Sequence, residues 1–327
     1  MEGLRARTDT DRLVNALRHP EPGVRGASAT ALGEIGDWRA APALIDVLSD
    51  DEWAVRRAGV RALGCMQVGR AVPQPPATGE KTKKSAPAPA SVRSRQKSGG
   101  QTDGDSLSEE LQAALVNMLH DKVWQVRETA AATLGLVSPR MQDQMLRAQL
   151  AEALLVALGD ERLAVRKAAA GSLAGLGSSH LGSLRTALND TDWRRREGAA
   201  IALGRMGQEL QDSALQAQVV TILAATLRDP DPQLRLAAIK ALGRIGQCPE
   251  EEHRQQIVEL LTSPLQDRDG QVRESAARAL GQIGDARAAG PLVDLLQDPK
   301  KSVQTAAAQA LDRLARAQGI ETGPVRS

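Results

Sequence analysis

Residues 229–246 read DPDPQLRLAAIKALGRIG, and near-copies recur as EPGVRGASATALGEIG from Glu21, DEWAVRRAGVRALGCM from Asp51 and DGQVRESAARALGQIG from Asp269. The copies align on Arg25, Arg56, Arg127, Arg166, Arg196, Arg235, Arg273 and Gln304, here termed the anchors. Twelve residues before each anchor stands Leu13, Leu44, Leu115, Leu154, Leu184, Leu223, Leu261 or Leu292. Eight before stands Leu17, Leu48, Leu119, Leu158, Leu188, Leu227, Leu265 or Leu296, and seven after stands Leu32, Leu63, Leu134, Leu173, Leu203, Leu242, Leu280 or Leu311. Successive anchors are 31, 71, 39, 30, 39, 38 and 31 residues apart. A unit of roughly 20–50 residues repeated along a chain is the mark of a solenoid or related array.

The unit itself reads as two helices around a turn. Leu223 and Leu227 share one helical face. RDPDP then gives a turn, with Asp231 as N-cap and Pro232 at the first helical position, where its missing N–H costs nothing. Leu234, Ala238, Leu242 and Ile245 follow at helical spacing up to Gly246. The pattern predicts helices shorter than the roughly 12–15 residues at which an isolated helix becomes marginally stable. Stacking must supply the difference. Ala199, Ala200 and Ala202, like Ala276, Ala277 and Ala279, let neighbouring second helices approach closely. The chain has no Phe or Tyr, which suits a thin, alanine-cushioned core.

An acid recurs six residues before the anchor, at Asp50, Asp121, Asp160, Asp190, Asp229, Asp267 and Asp298, with His19 in the first copy. One carboxylate per unit does not assemble a coordination shell. The expectation is that it binds turn amides and pairs with an anchor arginine of its own or the next unit. The consensus D-x-x-x-x-V-R-x-x-A-A-x-A-L-G-x-I-G-D resembles the HEAT-like repeat of the phycobilisome-lyase type, over residues 10–71 and 107–316. The resemblance implies an all-α solenoid of about eight stacked helix-turn-helix repeats, with second helices lining its concave side.

Length alone would suggest two globular domains, but the repeats override that prior. No apolar run of 18 residues marks a membrane span, and MEGLRARTDTDRL has no signal core, so the expected location is the cytoplasm. Cys65 and Cys248 stand far apart in no metal or redox spacing and read as free thiols.

The long step contains a stretch of Pro, Ala, Lys, Ser and Gly that reads as a disordered insert over residues 72–106. The domain reading is therefore repeats 1–2 over 1–71, the insert, repeats 3–8 over 107–316 and a tail over 317–327. Two repeats alone make a poor core, which favours stacking across the insert. Residues 72–105 hold six cations against three carboxylates, a net +3 that exceeds the whole chain's +2. The repeats themselves are thus near neutral, which argues poorly for a nucleic-acid-binding fold.

Catalysis has no visible owner. His19, His120, His180 and His253 each stand alone in their own unit, none followed by Glu, so the His-Glu pairs of HEAT-like metal hydroxylases are missing. GLGSSHLGS at 175–183 lacks dinucleotide-binding spacing and follows no strand. No catalytic residue, metal ligand or cofactor is assigned. Positions one, five and nine past the anchor form a strip opposite the leucines, with Arg57, Arg61, Lys167, Arg205, Lys240, Arg244, Arg278 and Arg313 against Glu34, Glu128, Glu197 and Glu274. It reads either as a solvated face or as a partner-binding surface. Trp53, Trp124 and Trp193 each precede the anchor by three residues and read as turn covers or as hot spots for a protein partner. Trp38, in GDWRA, reads as a more exposed case. The favoured function is a non-enzymatic scaffold or assembly factor that binds a protein through its concave face. The alternatives are a tetrapyrrole lyase or lyase-like chaperone, which the resemblance alone implies, and a nucleic-acid-binding solenoid.

Overall fold

In the computed structural model the described residues are 2–69, 102–138, 143–247 and 250–318, and among them every regular element is a helix. The first helices of the eight repeats are α1 (Glu2–Ala16), α3 (Ala41–Val47), α5 (Thr102–Asn117), α7 (Gln144–Ala157), α9 (Leu181–Ala187), α11 (Ser213–Thr226), α13 (Glu251–Thr262) and α15 (Ala289–Asp294). The second helices are α2 (Pro22–Ile35), α4 (Trp53–Gly69), α6 (Trp124–Val137), α8 (Leu163–Gly175), α10 (Trp193–Glu209), α12 (Pro232–Ile245), α14 (Gly270–Ile283) and α16 (Lys301–Ala317). Packing divides the chain into two bodies, residues 1–137 with repeats 1–3 and residues 138–327 with repeats 4–8.

The second helices exceed the expected length. They run 13 to 17 residues, because α4 and α10 continue past the repeat leucine for more than another turn. The uneven period also has a structural cause. Steps of 30–31 residues use a short first helix of six or seven residues behind a 3₁₀ turn, at 38–40, 178–180 and 286–288. Steps of 38–39 residues use a first helix of 12–14 residues, as in α7, α11 and α13.

The leucine columns form the core where repeats have neighbours on both sides. Leu44, Leu63, Leu115 and Leu134 are fully buried in the first body, as are Leu154, Leu173, Leu203, Leu242 and Leu280 in the second. Each fully buried leucine contributes about 1.5–3 kcal/mol relative to an exposed one. The columns loosen at a few positions, in the first, sixth and last repeats. Leu13 and Leu311 are only partly covered, Leu227 likewise, and Leu296 is exposed while its neighbour Leu295 turns inward.

Second helices touch through small residues eight and six past successive anchors. A Cβ on Gly204 would lie 2.6 Å from the Ala241 Cβ, and one on Gly281 would lie 2.7 Å from the Ala310 Cα. The glycine is thus required by backbone approach. First helices meet one another far less, so within each body the second helices lie closest together. Asp231 caps α12 by accepting from the Gln233 amide, as expected. Gly246 ends that helix in the right-handed region, whereas Gly36 and Gly284 end α2 and α14 left-handed, at φ 71° and 76°.

Stacking across the insert is present in the first body, where α4 packs on α6. Most of the insert, residues 72–101, lies outside the described residues, as do residues 70 and 71, Cys248 and the tail beyond 318. Helix α5 begins at Thr102, inside the stretch that composition assigns to the insert. No helix among the described residues is long and apolar enough to cross a membrane.

Candidate functional site

The anchor arginines and recurring aspartates build one motif on the turn edge. Each anchor arginine sends Nη1 back to the carbonyl six residues earlier, as Arg56 does to Asp50 at 2.8 Å, Arg235 to Asp229 at 2.8 Å and Arg273 to Asp267 at 2.7 Å. The same guanidinium grips the aspartate of the next repeat with Nε and Nη2. Arg25 holds Asp50 at 2.6 and 2.8 Å, Arg56 holds Asp121 at 2.6 and 2.9 Å, Arg235 holds Asp267 at 2.7 and 2.8 Å, and Arg273 holds Asp298 at 2.6 and 2.9 Å. Each aspartate also accepts the amide two residues on, for example Val123 by Asp121 at 2.7 Å. The turn amides are bound as expected, but the arginine that grips each of these aspartates belongs to the preceding repeat rather than to its own or the next, because each anchor spends Nη1 on a carbonyl of its own turn and reaches forward with Nε and Nη2.

The ends of the series obey the same chemistry. His19 replaces the first aspartate, and its Nδ1 accepts the Glu21 amide at 3.1 Å. Gln304 replaces the last arginine and donates to the Asp298 carbonyl at 2.7 Å. The carboxyl groups respond to their partners. Arg25 holds Asp50 below the ordinary carboxylate range, against the opposing effect of burial. At Asp121 and Asp267 burial is the larger single influence and pushes upward, yet Arg56 and Arg235 with the turn amides still bring each group down.

Repeat 5 departs from the series. Arg166 of repeat 4 grips Glu197 of repeat 5 through Nε and Nη2 at 3.0 and 2.6 Å, and Asp190 is taken by Arg195 at 3.0 Å. Arg196 reaches Asp231 at 3.0 Å, and Asp229 serves only the Asp231 amide. The Arg166 and Arg194 guanidinium groups lie over the Trp193 ring, 5.4 and 5.1 Å from its centroid. Trp53 and Trp124 open their helices in the same way and are half-buried. Trp193 is the exposed one at 40%, and Trp38, expected to be more exposed, is half-buried in its 3₁₀ turn.

The second-helix strip is differently satisfied. Arg57 and Arg61 lie on α4 of the first body, half-buried and exposed. Arg205, Lys240, Arg244 and Arg278 lie on α10, α12 and α14 of the second body. Arg278 pairs with Glu274, one turn away at 2.6 Å. Glu197 turns away to Arg166 and leaves the strip. Arg205 lays its guanidinium over Gly171 of α8, in space that a side chain there would occupy. No carboxylate lies within ion-pairing distance of Arg205, Lys240 or Arg244 among the described residues. Between α12 and α14 the face opens into a groove of about 610 Å³, with Lys240, Arg244, Glu274 and Arg278 in its walls.

One chemically suggestive cluster escaped sequence reasoning. His253, buried on α13, has Nδ1 at 2.7 Å from Glu250 and Nε2 at 3.5 Å from the Ser213 hydroxyl. The order is that of a nucleophilic triad. The amides of Ala214 and Leu215 at the start of α11, however, donate to Asp212 at 2.9 and 3.1 Å. They are not free to bind an oxyanion, and the cluster serves to join α11 to α13. Among the described residues no three His, Cys, Asp or Glu side chains gather closely enough to hold a metal ion.

Comparison with known proteins follows the fold. The family described as HEAT repeats matches residues 10–75, 151–221 and 219–312, and a single HEAT repeat matches 111–141. No curated protein is a significant sequence match. Among solved structures, Kap95p with RanGDP is 16% identical over 93% of this chain and 39% of that one, at a TM-score of 0.60. Kap121p bound to Ste12p is 17% identical over 94% and 37%, at 0.54. Human deoxyhypusine hydroxylase is 19% identical over 96% and 99%, but at 0.35 the superposition carries no argument. The chain thus spans under two-fifths of the two Kap proteins' length. With its anchored turns, leucine columns and matched repeats over most of its length, the chain belongs to the HEAT-repeat family.

Proposed function

We propose that the chain is a non-catalytic docking scaffold that receives a protein partner on the second-helix face of repeats 5–7. One observation carries the reading: Arg205, Lys240 and Arg244 stand there without carboxylate partners, beside a groove, while the cations of the turn edge are consumed in holding repeats together. Unpaired cations at a surface attract a partner of opposite charge and set its register. A repeat stack offers an extended surface of this kind. The fold-level neighbours Kap95p and Kap121p, whose structures include RanGDP and Ste12p, support a protein-binding role by analogy.

The test is an affinity capture from nuclease-treated native lysate. The wild-type chain is compared with a variant in which Arg205, Lys240, Arg244 and Arg278 are all changed to Glu. A protein held by the wild type and lost by the variant is the expected result; equal captures would overturn the reading. Incubation with an open-chain tetrapyrrole is expected to leave the pigment's absorption unchanged, and a shifted band would favour the lyase alternative.

A further inference from the structure

The groove between α12 and α14 is chemically uneven along its length. Gln233 and Gln271 stand at its amino end, Leu236 and Ala279 form a nearly buried floor, and Lys240 and Arg244 stand toward its carboxyl end, where α14 contributes Gln282. Eleven helical steps separate Gln233 from Arg244, about 16 Å at the helical rise. About five residues of extended chain cover that distance. Carboxamides at one end offer both a donor and an acceptor to a peptide backbone. The two cations at the other end offer donors alone, and the Glu274–Arg278 pair between them is already closed.

We infer that this groove takes an extended acidic peptide segment of the partner, with its carboxylates against Lys240 and Arg244 and its backbone against the glutamines. The inference rests on the docking reading above and names the occupant. Charge complementarity selects it over the chain's own insert, whose net +3 would be repelled. It also selects it over nucleic acid. Glu274 stands in the groove wall, the unpaired cations are few, and no aromatic ring lines the groove for a base to stack on. Trp193 begins α10, twelve residues before Arg205, on the turn edge.

Fluorescence anisotropy on the full chain tests the assignment, with a labelled peptide of alternating Glu and Ala, its Gln counterpart, and an oligothymidylate of equal charge. The Glu peptide is expected to bind at least about tenfold more tightly than the Gln peptide and to weaken as salt is raised. Lys240→Glu with Arg244→Glu should abolish the preference. Arg228→Glu with Lys301→Glu, an equal charge change at exposed positions off the groove, should leave it intact. Circular dichroism confirms that each variant is folded. Equal affinity for the Glu and Gln peptides, tighter binding of the oligonucleotide, or unchanged binding by the groove variant would each overturn the inference. Loss of a captured partner in the four-residue variant, without acidic-peptide binding, would leave the docking face standing and reject only its occupant.

Discussion

Arginine plays two parts in this molecule, and comparing the turn edge with the second-helix face separates them. On the turn edge Arg235 is nearly buried, with all three nitrogens of its guanidinium engaged by Asp229, Pro230 and Asp267. Five residues further along the same helix, Lys240 points to solvent with no carboxylate in reach. The first kind of cation has its field spent inside the fold. The second leaves its field outside, where it acts on whatever approaches. Position relative to the anchor, and not residue type, decides between the two.

Substitutions can break that comparison, and the largest expected effect is on the edge. Arg235→Ala leaves the half-buried Asp267 carboxylate without its guanidinium and should cost about 3 kcal/mol, read as a lowered thermal midpoint. Lys240→Ala should stay within about 0.5 kcal/mol. Similar losses from the two would erase the distinction. Leu242→Ala, a truncation in the sealed part of the core, should cost about 2–5 kcal/mol. Leu296→Ala, at the exposed end of its column, should cost well under that, and equal costs would mean the column is uniform after all.

Acid sharpens the same contrast. The folded-state pKa of Asp50, Asp121, Asp267 and Asp298 lies below the ordinary value of 3.8. The stabilisation from these groups is complete above that value, and is lost as pH falls through it toward each lowered pKa. Thermal midpoints should therefore drop steeply below about pH 4. Replacing Asp267 by Asn should flatten part of that drop, and an unchanged profile would count against the ladder. A smaller effect than these belongs to repeat 5. Trp193→Ala removes an exposed ring that two guanidinium groups contact and should cost about 0.5–1 kcal/mol, with the Arg166 to Glu197 contact retained.

Much of this was legible in the chain. The leucine columns pointed to the core, because a helix must turn one face inward, and Asp231 and Pro232 announced the start of α12. Which repeat supplies each arginine's partner was not legible, since the carboxylates of its own and of the next repeat satisfy the same spacing rule. The rearrangement at repeat 5 was hidden in Arg194, Arg195 and Arg196, three adjacent donors that sequence cannot apportion. The neutralisation of Arg278 was within reach, because Glu274 precedes it by four residues on one helix. The extra length of α4 and α10 was not legible, since Met66 and Met206 hold the position at which Ile245 and Ile283 end α12 and α14.

The most direct measurement sets the two cation classes side by side. Thermal midpoint and partner capture would be recorded together for Arg235→Ala and for Lys240→Glu combined with Arg244→Glu. The account predicts a double dissociation: the first variant loses several degrees of stability and, below its midpoint, still captures the partner, while the second keeps its stability and loses the partner. A second variant that melts early, or one that captures the partner as well as the wild type does, would contradict the separation of structural from docking cations.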